Sequence, residues 1–119
     1  MLSSFDEREL LERVDNDWDF LEETVAMLAS DGPALMEETR RAAGSGDAPA
    51  LARASHALKG MISNFCSPAA HEKAAAVEHI GRGGDLSPAP PALDALQRDL
   101  SALIADLNEF VSTRTQCGS

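Results

Sequence analysis

Leu93, Leu96, Leu100, Leu103, Leu107 and Phe110 recur every three or four residues, with Ile104 beside them. That spacing lines one face of an α-helix. The same period appears three more times upstream. Trp18, Leu21, Val25 and Leu28 carry it, with Leu35 and Met36 further on; then Leu51, Ala54, Leu58, Met61, Ile62 and Phe65; then Ala70, Ala74, Val77 and Ile80. Four substantial amphipathic helices, each with one apolar stripe and short connections, close a single core as a bundle. The expected fold class is all-α: an antiparallel up-down four-helix bundle with a short additional N-terminal helix over an end or side. Composition agrees, since Ala and Leu dominate, Tyr is absent and aromatic residues make up 4%. That balance favours helices over strands.

Local punctuation sets the element limits. The first helix is predicted over 5–14, capped by Ser4 with Glu7 as its capping-box partner, and broken by Asp15-Asn16-Asp17. Asp17 caps a second helix over 17–43. Gly32-Pro33 either kinks it or starts another helix capped by Ser30 or Asp31; the apolar stripe resumes at once, which favours a kink near 32–33. Gly44-Ser45-Gly46 ends this element, and Asp47 caps a third helix over 48–65 with Pro49 in its first turn. Ser67 and Pro68 open a fourth over 68–80, in the N-cap and first helical positions. The stretch from Gly81 to Pro91 is the clearest loop. A fifth helix follows over 91–111, then a polar tail, 112–119, expected to be loose. A single domain is expected over 1–119.

Several function classes are disfavoured. A net charge of −10 argues against nucleic acid and anionic membranes, both of which call for clustered Lys and Arg. No run of ~18 apolar residues suggests a membrane span, and the first residues do not form a secretory signal. The expectation is a cytoplasmic protein, monomeric, or a domain cut from a larger one. Cys66 and Cys117 lack metal-ligand spacing, and no disulfide between them is expected.

The third helix carries the most specific feature. Opposite its apolar stripe lie Ala52, Arg53, His56, Lys59, Gly60 and Ser63. His56 therefore faces water over small neighbours, with Lys59 one turn along. A surface histidine ordinarily does nothing, but Gly60 changes the balance. Glycine inside a helix costs up to ~1 kcal/mol relative to Ala, and mid-helix it serves no cap. Close approach by another body is the usual reason. On the fourth helix His71, Glu78 and Arg82 lie near one line with Ala75 between them. Successive helices of an up-down bundle are neighbours, so this line is placed to flank His56.

The segment His56-Ala57-Leu58-Lys59-Gly60 resembles the signature of histidine phosphotransfer (HPt) domains. The resemblance extends to Gly81-Arg82, with Ala70, Ala74, Val77 and Ile80 standing where the family has core residues. It covers Leu51 to Arg82 well and the remaining helix pattern loosely. It implies that His56 is the phospho-acceptor, that Lys59 stabilises the phosphoryl group and that Gly60 gives clearance. Gly60, Ser63, Glu78 and Arg82 would form the partner-docking surface. The implied partners are a response-regulator receiver domain, a hybrid histidine kinase, or both, with Mg²⁺ on the partner's receiver and no cofactor of the chain's own. One departure is Cys66, where the family usually has a second glycine six residues after the first.

The chemistry suits that role. A neutral imidazole nitrogen is a competent nucleophile near pH 7, since free His titrates at ~6.5. Attack on an aspartyl phosphate gives a phosphoramidate that can pass the group to another aspartate. That step needs in-line geometry and charge neutralisation more than acid–base help. No Gly-rich phosphate loop or kinase motif accompanies it, so a phosphocarrier without its own ATP site is expected, rather than an enzyme. Rival constellations are weaker. His71-Glu72 lacks the second histidine of a zinc-protease motif, because Ala75 stands there. A metal site from His56, His71, His79 and Cys66 is not expected, nor is a Ser-His-Asp triad. Two alternatives remain: a non-catalytic bundle that binds receivers or kinases, and the phospho-accepting domain of a chemotaxis-type histidine kinase.

Overall fold

The structure, a computed structural model, describes residues 5–117, with side chains through 113. Among the described residues there are five α-helices and no strand: α1 (Glu7–Arg13), α2 (Trp18–Gly44), α3 (Ala48–Ile62), α4 (Pro68–Gly83) and α5 (Ala89–Cys117). A 3₁₀ turn, Ser63–Phe65, continues α3. Helix α2 packs on α3, α3 on α4, α4 on α5, and α5 returns to α2. This is the expected antiparallel four-helix bundle, 51 Å along its longest axis. A helix of α2's length, at ~1.5 Å per residue, nearly spans that axis.

The apolar stripes meet in the middle. Leu21, Val25, Leu28 and Met36 of α2, Leu51, Leu58 and Ile62 of α3, Val77 of α4 and the α5 leucines are all buried. Helix α4 contributes only small residues at Ala70, Ala74 and Gly81, which lets it lie close to α3. The two helices are close at Gly81, where a Cβ would stand 2.7 Å from the Ala52 backbone nitrogen and 3.0 Å from its Cα. Two buried hydroxyls are satisfied within their own helices: Thr39 donates to Leu35 O (2.6 Å) and Ser55 to Leu51 O (2.7 Å).

The caps explain most boundaries. Asp17 accepts from Phe20 N–H and Asp47 from Ala50 N–H, as their positions in the sequence suggest. Asp15 and Asn16 adopt left-handed φ values of 56° and 59°, which these residue types tolerate in turns. Pro33 lies inside α2, which continues through it as one helix. Helix α1 starts later than its pattern suggests. Its N-cap is Asp6, whose side chain accepts from Glu9 N–H, and Glu7 is the first helical residue. Phe5 is buried and so belongs to the core, ahead of the helix. The expected Ser4 cap falls outside the described residues.

Three further boundaries differ. The expected loop from Gly81 begins only at Gly84, whose φ of 86° ends α4. Helix α5 starts at Ala89, with Pro90 and Pro91 in its first turn, where missing N–H groups cost nothing. The tail expected to be loose after 111 is helical to Cys117. Cys66, where the family pattern has glycine, takes the left-handed conformation itself (φ 54°, ψ 45°) and ends the α3 extension.

Helix α1 closes one end of the bundle. Asp6 N–H donates to Cys66 O (3.0 Å), and the Arg13 guanidinium donates to Ser63 O (2.7 Å). Phe110 receives Phe5 edge-on at 5.4 Å and Trp18 at 5.1 Å between ring centroids.

Candidate functional site

The close seam between α3 and α4 sets the site. Ala52 lies one helical turn before His56, and Gly81 lies just past Glu78, so the close Ala52–Gly81 contact lies beside the pair. His56 Nδ1 lies 3.0 Å from Glu78 Oε2. Lys59 Nζ reaches Glu78 Oε1 at 2.7 Å, and Arg82 Nη2 reaches Oε2 at 2.5 Å. One carboxylate thus gathers an imidazole, an ammonium and a guanidinium from both helices.

Burial divides these groups. The Glu78 side chain is 5% exposed, while His56 is 63% and Arg82 67% exposed. Lys59 lies between them at 26%. A buried carboxylate survives ionised only where partners replace its water. The Lys59 ammonium paired with it is the main influence holding Glu78 down. Burial opposes it, Arg82 and His56 add to it, and the carboxyl falls from its ordinary 4.5 to about 2. Glu78 is therefore an anion at neutral pH and can only accept hydrogen bonds.

That settles the tautomer of the ring in this pair. With an acceptor at 3.0 Å, Nδ1 must carry the proton, and in the neutral ring Nε2 keeps the lone pair. The nitrogen that keeps the lone pair is thus the one Glu78 does not touch, on a ring mostly open to water. Charge that develops on the ring has a fixed counter-ion behind it, as the aspartate serves the histidine in a serine-protease triad.

The other residues singled out from the sequence fall as follows. Gly60 is exposed on the same ridge, and a Cβ there would meet nothing within 4 Å. Nothing inside the molecule requires glycine at that point. Ser63 caps α3 and turns its hydroxyl back to donate to Gly60 O (2.6 Å). His71 is not brought to His56; it lines a separate hollow with Asp6, Glu9, Ser63 and Cys66. Cys66 is a free thiol whose pKa is raised, chiefly by burial. Among the described residues no group of three His, Cys, Asp or Glu is placed to hold a metal ion, and no helix is long and apolar enough to cross a membrane. The sequence put Glu78 at the border of the site, whereas it stands at the centre. Its place on the line through Arg82 was the available signal.

The helical bundle thus presents the His56 imidazole on an open surface, with an ionised carboxylate against its Nδ1. The family model described as Hpt domain matches residues 23–106, which takes in the histidine, its partners and most of the four long helices. The chain belongs to the Hpt domain family and is a phosphorelay domain. Domains of this family carry phosphoryl groups and generally interact with receiver domains. No curated protein and no solved structure matches the chain.

Proposed function

We propose that this chain relays phosphoryl groups to and from receiver-domain aspartates through Nε2 of His56. The observation that carries the reading is the His56–Glu78 pair: an exposed ring with Nδ1 held at 3.0 Å by a buried carboxylate. The Nε2 lone pair attacks the phosphorus of an aspartyl phosphate, the bond between phosphorus and the aspartyl oxygen breaks, and the aspartate leaves as a carboxylate. The Nδ1 proton stays on the ring, which becomes an N-phosphorylated imidazolium facing the Glu78 anion. Reversal delivers the group to another aspartate.

Each neighbour has a part in this reading. Glu78 is a positioning residue that fixes the tautomer and balances the ring's charge. Lys59 adds a positive charge beside the phosphoryl group from its seat on Glu78 Oε1, where it also keeps that carboxylate ionised. Gly60 leaves headroom for the partner, and Ser63 and Arg82 belong to the docking surface. The partner's acidic pocket would bring Mg²⁺, and the domain would act in the cytoplasm.

The test is transfer from a phosphorylated receiver in the presence of Mg²⁺. His56→Gln should abolish acceptance, while His71→Gln and His79→Gln retain it. Acceptance by the His56→Gln protein would refute the assignment. Receiver binding without acid-labile phosphate on the chain would favour the binding-only bundle. Phosphorylation by a kinase domain, but not by any receiver, would favour the chemotaxis-type role.

A further inference from the structure

The phosphoryl group that His56 accepts in the reading above needs cations that are free to meet it, and Lys59 is already committed. Its ammonium sits 2.7 Å from Glu78 Oε1 and is mostly covered. To turn outward it would uncover a buried carboxylate, a strongly unfavourable exchange. Arg82 is also joined to Glu78, although its exposed guanidinium keeps other N–H donors to spare.

Arg53 stands differently. It precedes His56 by three residues on α3, a spacing that makes them neighbours on the helix surface. It is exposed, and no carboxylate among the described residues pairs with it. Ala52, Arg53, His56 and Arg82 line a shallow hollow of about 310 Å³ that crosses from α3 to α4. Its floor is small because Ala52 lies at the Gly81 seam, and a longer side chain there would fill it. The space is roughly ten times a water's ~30 Å³ share of liquid, ample for a tetrahedral anion.

The surrounding charge points the same way. The chain has 20 Asp and Glu against 10 Lys and Arg. Helix α3 nevertheless contains no acidic residue, and α4 contains only Glu72 and Glu78. Four of the basic residues, Arg53, Lys59, Lys73 and Arg82, lie on these two helices. Lys73 is occupied by Asp99 at 3.1 Å. An anion that comes to the His56 end of the hollow therefore meets an uncommitted guanidinium, with a half-committed one opposite.

We propose that Arg53, with Arg82 across the hollow, forms an oxyanion subsite that binds phosphoryl oxygens next to His56 Nε2, and that Arg53 is its principal ligand. A planar guanidinium offers paired N–H donors that match two oxygens of one phosphoryl group. Lys59 acts from its seat on Glu78, whereas Arg53 meets the group directly.

The proposal rests on the carrier reading, and the test separates the two. Inorganic phosphate is titrated into the protein while the ring resonances of His56, His71 and His79 are followed by NMR. A saturable shift is expected at His56 alone, weakened about fivefold by Arg53→Ala, partly kept by Arg53→Lys and unchanged by Arg98→Ala as a charge control. In a second arm, Arg53→Ala should slow acceptance from a phosphorylated receiver about tenfold, with helix content and melting temperature unchanged. No saturable shift in the unaltered protein, or equal binding and transfer by Arg53→Ala, would overturn the subsite. Phosphate binding through Arg53 with no phosphorylation of His56 would instead leave the subsite standing and remove the carrier reading.

Discussion

Gly60 on α3 and Gly81 on α4 both interrupt good helix-forming sequence near the histidine, yet they answer to opposite surroundings. At Gly81 a Cβ would collide with the Ala52 backbone at 2.7 Å. At Gly60 it would meet nothing within 4 Å. The first glycine is required by the interior of the fold. It draws α4 against α3 and so delivers Glu78 to His56. At the second no internal contact calls for glycine, and its helix-propensity cost of up to ~1 kcal/mol is accounted for, in the proposed carrier reading, by a partner's close approach. One region of the face is built by packing and the other is open, where the proposed reading places the partner, although on sequence the two residues look alike.

The largest effect expected on the packed side is at Glu78, which the seam buries. Glu78→Gln keeps the shape but removes the anion shared by Lys59, Arg82 and His56. A loss of about 1.5–3 kcal/mol is expected, the range for hydrogen bonds to charged groups, measured by urea unfolding at pH 7. Its pH dependence has a definite sign. The folded carboxyl is lowered from 4.5 to about 2, so its stabilisation is complete above the unfolded value and disappears as pH falls from about 4.5 toward 2. The gap between the original protein and Glu78→Gln should close over that window. A gap that persists unchanged below it would contradict the ionised-hub account.

Next comes the seam itself. Gly81→Ala should destabilise by about 1–3 kcal/mol, because rigid backbone has to move and overpacking outweighs the helical gain. It should also slow phosphotransfer, since α4 carries Glu78 away with it. A neutral or stabilising result would mean that the helices are not held at that contact.

Cys66 is a smaller, opposite case. It adopts φ 54° at a stop where L-residues are strained by roughly 1–2 kcal/mol. Cys66→Gly should therefore raise stability by about 1 kcal/mol, less whatever packing the thiol supplies, with the melting temperature as readout. The smallest stability change belongs to Gly60→Ala, a gain of about 0.4–1 kcal/mol accompanied by weaker receiver binding. A stabilised Gly60→Ala protein with undiminished binding would remove the partner as the reason for that glycine.

The bundle and the outward face of His56 were legible because both follow from the 3.6-residue period, which a sequence displays directly. The Asp17 and Asp47 caps are local and equally readable. Glu78 was placed near the site but not at its centre. Its burial requires cations from two helices, and that depends on how α3 and α4 pack, with Ala52 against Gly81 as one close contact between them. Gly81 itself read as the beginning of a loop, because three glycines follow within a few residues of Ile80 and only Gly84 turns left-handed. The end of α5 was missed for the converse reason. No Gly or Pro stands between Val111 and Gly118, so polarity alone did not stop the helix, and the Thr113 hydroxyl bonds back to Phe110 O within it. The displacement of the first cap from Ser4 to Asp6 reflects a core role for Phe5 that periodicity over so short a segment does not reveal.

The most direct test is to phosphorylate the protein through a receiver domain and locate the phosphorus on the ring by ¹⁵N–³¹P NMR. Because Glu78 holds Nδ1, the phosphorus should be bonded to Nε2 of His56. Phosphorus on Nδ1 of His56, or on His71 or His79, would contradict the arrangement from which the function is drawn.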